Sequence, residues 1–165
     1  MDPDQLTVRP IGDADRDWLR DQLVQEWGVP NVSISGVYDK PWTLDGAVAE
    51  LDGGRVGEVT WIVDGDACEV LTLQALRPGI GVGRALMDRA RGAALAARCH
   101  RLWLITSNEN IRAIRFYQRW GMDIVALHRN FADTVRAAKP GVNTSGHDGI
   151  PFRHALELEL LLEPQ

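Results

Sequence analysis

Apolar and polar positions along this chain change period repeatedly, and the changes mark its elements. Leu6–Pro10 reads as a short strand. Asp13–Trp27 has helical spacing: Trp18, Leu19, Leu23 and Trp27 share a face, and its acidic first turn suits the positive end of a helix dipole. Val29–Pro41, with Pro30, Gly36 and Pro41, reads as a loop. Three strands are then predicted, Leu44–Leu51, Arg55–Val63 and Ala67–Leu76, joined by the tight-turn signals Gly53-Gly54 and Asp64-Gly65-Asp66. A helix near Arg84–Arg98 turns Leu86, Met87, Ala90, Ala94 and Ala97 inward. After it come a strand at Arg101–Thr106 and a helix at Asn110–Trp120, with Ile111, Ile114, Tyr117 and Trp120 near one stripe. Met122–His128 reads as a strand and Phe131–Lys139 as a short helix. A Gly/Asn/Ser-rich loop then leads to a last strand, Ala155–Leu162.

This order predicts an α+β fold with a mixed sheet: an antiparallel meander feeding strand, loop, helix, strand, helix, strand. The loop is the most informative segment. In Leu71–Leu86, LTLQALRPGIGVGRAL, an apolar strand runs through Gly79, Gly81 and Gly83 straight into a helix. Glycines at alternate positions let backbone N–H groups converge on an anion, and the following helix adds free N–H groups and its dipole. The expectation is a diphosphate cradle. A dinucleotide-binding oxidoreductase would also use such a turn, with Glu109 near the place of a ribose-binding acid, but there the turn normally follows the first strand. The long meander ahead of it argues against that class.

Composition narrows the partners. With 165 residues and 45% hydrophobic side chains, the whole chain, 1–165, is expected to be one domain with a sizeable core. A net charge of −5 argues against a protein built on phosphate contacts to nucleic acid, although arginines crowd between Arg77 and Arg119. Cys68 and Cys99 lack metal-ligand spacing and read as free thiols of a reducing compartment. His128, His147 and His154 are too scattered for a metal site. No apolar span suits secretion or a membrane, so a cytoplasmic location is expected.

Two segments resemble the central motifs of the GNAT superfamily of acyl-CoA-dependent N-acetyltransferases. Glu69–Leu86 resembles the family's strand, glycine loop and helix. LWLITSNENIRAIRFYQRWGM, ending at Met122, resembles its strand followed by Asn-x-x-Ala-x-x-Phe-Tyr-x-x-x-Gly. Together they span about a quarter of the chain. Two positions depart from the pattern: Pro78 stands where Arg or Gln is usual, and Met122 where Phe is common. Lys139–Leu160 also resembles unassigned bacterial members of the superfamily.

The resemblance implies acetyl-CoA as acyl donor, held in a cleft where the strand before the loop splays from Arg101–Thr106. Gly81, Val82, Gly83 and Arg84 would bind the diphosphate. The backbone of Leu73, Ala75 and Leu76 would face the pantetheine and supply an oxyanion donor, and Asn110 would touch the cofactor arm. Tyr117 would protonate or solvate the departing sulfur. Glu69, early in its strand, is the expected base. It would share a face with Leu71 and Leu73, and partial burial would raise its pKa; Glu58 or water are the alternatives.

The acceptor is expected to be a primary amine of a small molecule or peptide. Val29–Trp42, with Tyr38, Asp39 and Trp42, and the Lys139–Phe152 loop would select it, and no strong negative cluster points to a polycation. The chain would act as a monomer or homodimer. The competing class is a non-catalytic acyl-CoA-binding regulatory module on the same fold, against which an intact Tyr117 and Asn110 speak.

Overall fold

A computed structural model describes residues 5–163. Nine strands and four α-helices follow in the order β1 (Thr7–Pro10), α1 (Arg16–Trp27), β2 (Asn31–Ser33), β3 (Gly36–Tyr38), β4 (Asp45–Leu51), β5 (Gly54–Asp64), β6 (Ala67–Ala75), α2 (Val82–Ala96), β7 (Arg101–Ser107), α3 (Ile111–Trp120), β8 (Asp123–His128), α4 (Phe131–Ala138) and β9 (Ala155–Leu161). Seven strands form one sheet in the order β1-β4-β5-β6-β7-β9-β8. Every pair is antiparallel except β6–β7. This is the α+β mixed sheet that the periodicities predict.

α2 covers one face of the meander. Leu86, Met87, Ala90 and Ala94 are fully buried there with Val59, Cys68 and Leu102. Gly57 makes that approach possible: a Cβ on it would lie 2.6 Å from Val82 and 3.0 Å from Leu86. On α1, Leu19 and Leu23 are fully buried while Trp27 stays 39% exposed, so the predicted four-residue face narrows to two. The entry to α1 is fixed by Asp15, buried at 1% exposure. It accepts hydrogen bonds from Arg9 on β1 (2.7 Å), Arg55 on β5 (2.9 Å) and the Gly12 amide (2.7 Å). The Arg9 guanidinium, above all, holds the Asp15 carboxyl well below the usual carboxylate range.

Two differences from expectation bear on function. The segment read as a loop contains a hairpin, β2 against β3, whose strands of three residues each are too short to show alternation. In β6 the ladder to β5 skips one residue: Thr60 faces Thr72 but Trp61 faces Val70, leaving Leu71 as a bulge. Alternation therefore inverts at Leu71. Glu69, opposite Ile62, shares a face with Thr72 and Gln74 and not with Leu73. As the resemblance implies, β6 and β7 pair only from Ala67↔Arg101 to Glu69↔Trp103 and then separate.

Candidate active site

The separation of β6 from β7 opens a cleft of about 880 Å³. Val70, Leu71 and Leu73 form one wall, Ile105–Ser107 the other, and Asn110–Ala113 with Tyr117 overhang it. The free edge of β6 supplies the wall's polarity. The Leu76 amide donates to the Val56 carbonyl of β5 (2.8 Å). Successive strand amides alternate in direction, so those of Leu73 and Ala75 point away from β5 into the split. The expectation that the Leu76 amide faces the cofactor is therefore corrected: β5 already uses that donor.

At the end of β6 the chain turns through Pro78 and Gly79 into α2. Gly81 is the N-cap, in the left-handed region at φ +84°, and no side chain caps the helix. The first helical bond runs from the Ala85 amide to the Gly81 carbonyl, so the amides of Val82, Gly83 and Arg84 lie outside the helical ladder. Uncapped amides, the helix dipole and the exposed Arg84 together form a basic cradle. The missing side chain of Gly83 also meets a second need. A Cβ there would sit 3.1 Å from the Phe116 ring of α3, so this glycine lets the two helices meet.

The contact between α2 and α3 places Tyr117, which is half-buried and packs against the core beside Phe116. Burial, then the nearby Glu58 carboxylate, push its phenol up from the ordinary range. Such a phenol keeps its proton and can donate it. Asn110 caps α3, its Oδ1 accepting from the Ala113 amide (3.2 Å), which leaves its amide nitrogen beside the cleft. Met122 is 2% exposed: it fills the core position at the end of α3.

Two glutamates lie beneath. Glu58 is fully buried, accepts from the Thr72 hydroxyl (2.9 Å) through one oxygen, and has no partner for the other. Burial pushes it up to about 8. Glu69 is 3% exposed and lines the cleft. Ser33 and Ser35 of the hairpin donate to its two oxygens, the latter at 2.5 Å. Burial raises its pKa and these hydroxyls oppose the rise.

The far end of the cleft is assembled from distant segments: Glu26 and Trp27 at the end of α1, Asn31–Ser33, Glu109, and Lys139, Asn143, His147, Asp148 and Phe152. The 139–152 loop thus reaches the place expected of it, whereas Tyr38, Asp39 and Trp42 do not line the cleft. Tyr38 shares a 2.8 Å hydroxyl hydrogen bond with Ser35, and the Trp42 carbonyl accepts from Arg16 (2.8 Å). Lys139 donates to the Trp27 carbonyl (2.6 Å), and burial lowers its pKa. Four carboxylates, Glu26, Glu69, Glu109 and Asp148, border one space, a gathering of negative groups that their spacing along the chain hides. Among the described residues no group of three or more metal-binding side chains converges, and no helix is long and apolar enough to cross a membrane.

The chain resembles known proteins in sequence and in fold. The family model described as the acetyltransferase (GNAT) family matches residues 16–122. The Bacillus subtilis protein YdhI, itself uncharacterised, is 32% identical over 149 residues, covering 90% of this chain and 93% of its own. An IAA acetyltransferase from Bacillus cereus superimposes with a TM-score of 0.73 at 16% identity, over 96% of this chain and all of its own. A GNAT family acetyltransferase from Elizabethkingia anophelis, solved with acetyl-CoA bound, superimposes with a TM-score of 0.69 at 15% identity, over 96% and 99% of the two chains. The match across residues 16–122, which takes in the split strands, the uncapped helix and Tyr117, shows that the chain belongs to the GNAT acetyltransferase family.

Proposed function

We propose that this protein transfers an acetyl group from acetyl-CoA directly to a primary amine of a small molecule or peptide. The observation that carries this reading is the split of β6 from β7, which sets open strand amides, an uncapped helix N-terminus and a proton-bearing phenol along one cleft. Val82, Gly83 and Arg84 would hold the diphosphate, with Gly81 shaping the turn, and Asn110 would touch the pantetheine arm. The amides of Leu73 and Ala75 would bond that arm as a neighbouring strand does. One of the two would donate to the thioester oxygen, where negative charge develops during attack. The thioester supplies the activated acyl group; the chain's own residues manage protons and position.

Tyr117 donates its proton to the sulfur as the carbon–sulfur bond breaks. Glu69, raised by burial, takes a proton from the attacking nitrogen. The test is calorimetric titration with acetyl-CoA, using NAD as control, followed by thiol release with a panel of primary amines. Acetyl-CoA binding with amine-dependent thiol release is the expected result. Binding without release from any amine would favour a regulatory acyl-CoA-binding module, and absence of binding would remove the cradle's assignment.

A further inference from the structure

His147 and Glu109 lie far apart in sequence and meet at the far end of the cleft. Glu109, on the turn between β7 and α3, is 6% exposed and accepts from the Ser107 hydroxyl (3.0 Å). The same oxygen lies 3.5 Å from Nδ1 of His147, whose side chain is 75% exposed. Both residues line the cleft that holds Tyr117 and Leu73. A rigid turn presents the imidazole. The His147 and Ile150 backbones exchange two hydrogen bonds (3.1 and 2.9 Å), and Asp148 and Gly149 between them have φ of +53° and +78°, the left-handed pair of a tight hairpin turn. Gly146 is obligatory beside it, because a Cβ would lie 1.8 Å from the Ile150 carbonyl oxygen.

Proton balance in the reaction calls for such a pair. A free primary amine enters as an ammonium near neutral pH. Acylation forms the nitrogen–carbon bond and breaks the carbon–sulfur bond, and the nitrogen sheds two protons. One replaces the proton that Tyr117 gives to sulfur. The other must leave the enzyme. Glu69 is badly placed to release it, being 3% exposed with a serine on each oxygen. An exposed imidazole whose Nδ1 lies 3.5 Å from a buried carboxylate is well placed, since closing that gap to an Nδ1–H hydrogen bond to Glu109 would leave Nε2 as an acceptor open to water. We propose that His147, oriented by Glu109, takes the first proton from the entering ammonium and passes it to solvent. His147 is then a catalytic residue and Glu109 a positioning residue. The other charged groups lining the same cleft are Glu26, Glu69, Arg112, Lys139 and Asp148.

This inference rests on the acetyltransferase reading, and its test separates the two. The rate of thiol release is measured from pH 6 to 9.5 with acetyl-CoA and a fixed subsaturating pool of diamines, amino acid amides and short peptides. The enzymes compared are wild type, His147→Ala and Glu109→Gln. Backbone bonds hold the turn, so His147→Ala is expected to fold and to keep its acetyl-CoA affinity. Its rate should fall about tenfold or more near pH 6.5 and less than about threefold at pH 9.5, where the amine sheds its own proton. Added imidazole should restore part of the loss, and Glu109→Gln should lie between the two. An equal loss at every pH without imidazole rescue would make the pair a loop tether, and no loss would make it a bystander; either overturns the proposal. No thiol release from wild type that binds acetyl-CoA would instead sink the acetyltransferase reading, and this inference with it.

Discussion

The two ends of the cleft are built in opposite ways. The end assigned to acetyl-CoA comes from one continuous run, Leu71 to Met122, and presents mainly backbone: strand amides, a helix N-terminus and glycines at fixed spacing. The end assigned to the acceptor is gathered from α1, the β2–β3 hairpin, Glu109 and the 139–152 loop, and presents side chains. A ligand used throughout a family is served by backbone, which changes little with sequence. A ligand particular to one enzyme is served by side chains from loops, which change freely. Substitutions at the first end should therefore disturb acetyl-CoA, and those at the second should disturb only the amine.

The largest expected effect breaks that division deliberately. Tyr117→Phe should lower turnover about 100-fold or more while leaving acetyl-CoA affinity within about twofold, as thiol-release kinetics and calorimetry would show. Equal turnover would remove Tyr117 from the chemistry. Gly81→Val places a β-branched residue at φ +84°, costing about 1–3 kcal/mol of stability. Acetyl-CoA affinity should fall about tenfold and the relative preference among amines should not change. A changed preference would mean that the two ends are not independent.

Glu58 probes the floor between them. Its pKa in the fold, about 8 against an ordinary 4.5, means that the folded state binds its proton more tightly than the unfolded chain does. Its contribution to stability is complete below about pH 4.5 and disappears as pH rises through 8. Glu58→Gln removes the ionisation and brings a donor beside the unpartnered oxygen of its cross-strand neighbour Gln74. Urea titrations should find the variant less sensitive to pH across that window and about 1–2 kcal/mol more stable than wild type at pH 8.5. A variant less stable than wild type at pH 8.5 would refute a buried protonated carboxyl. The smallest effect belongs to the acceptor end. Ser35→Ala deletes one donor to Glu69 and should cost about 1 kcal/mol. The Michaelis constant for the amine should rise and acetyl-CoA affinity should hold.

Legibility in the sequence follows the same division. The glycine loop, the Asn110 and Tyr117 spacing and most element positions come from local constraints that short windows contain: a turn that needs glycine, a helix that needs a cap, an apolar period. The hairpin carrying Ser33 and Ser35 escaped because strands of three residues leave no periodicity to find. Tyr38 and Trp42 looked like pocket walls because aromatic residues in a stretch without periodicity have no visible partner, and that hairpin supplied one for Tyr38. The meeting of Glu109 and His147 is a tertiary event. An acid beside Asn110 and a histidine beside Asp148 each carry an ordinary local explanation, and only the fold of the intervening chain joins them.

The bulge at Leu71 limits how this chain can diversify. Counting along β6 decides which face each side chain meets, and the one extra residue resets that count between Glu69 and the glycine loop. Deleting it would close the ladder with Glu69 still opposite Ile62 and on the face of Thr72, so the extra residue changes the bend of β6, just where it parts from β7, and not the set of side chains that enter the cleft. Residue identity in the loops can drift, but the bend of this short stretch, which opens the cleft, cannot. Insertions and deletions should accumulate in the 139–152 loop and be purged between Glu69 and Gly81.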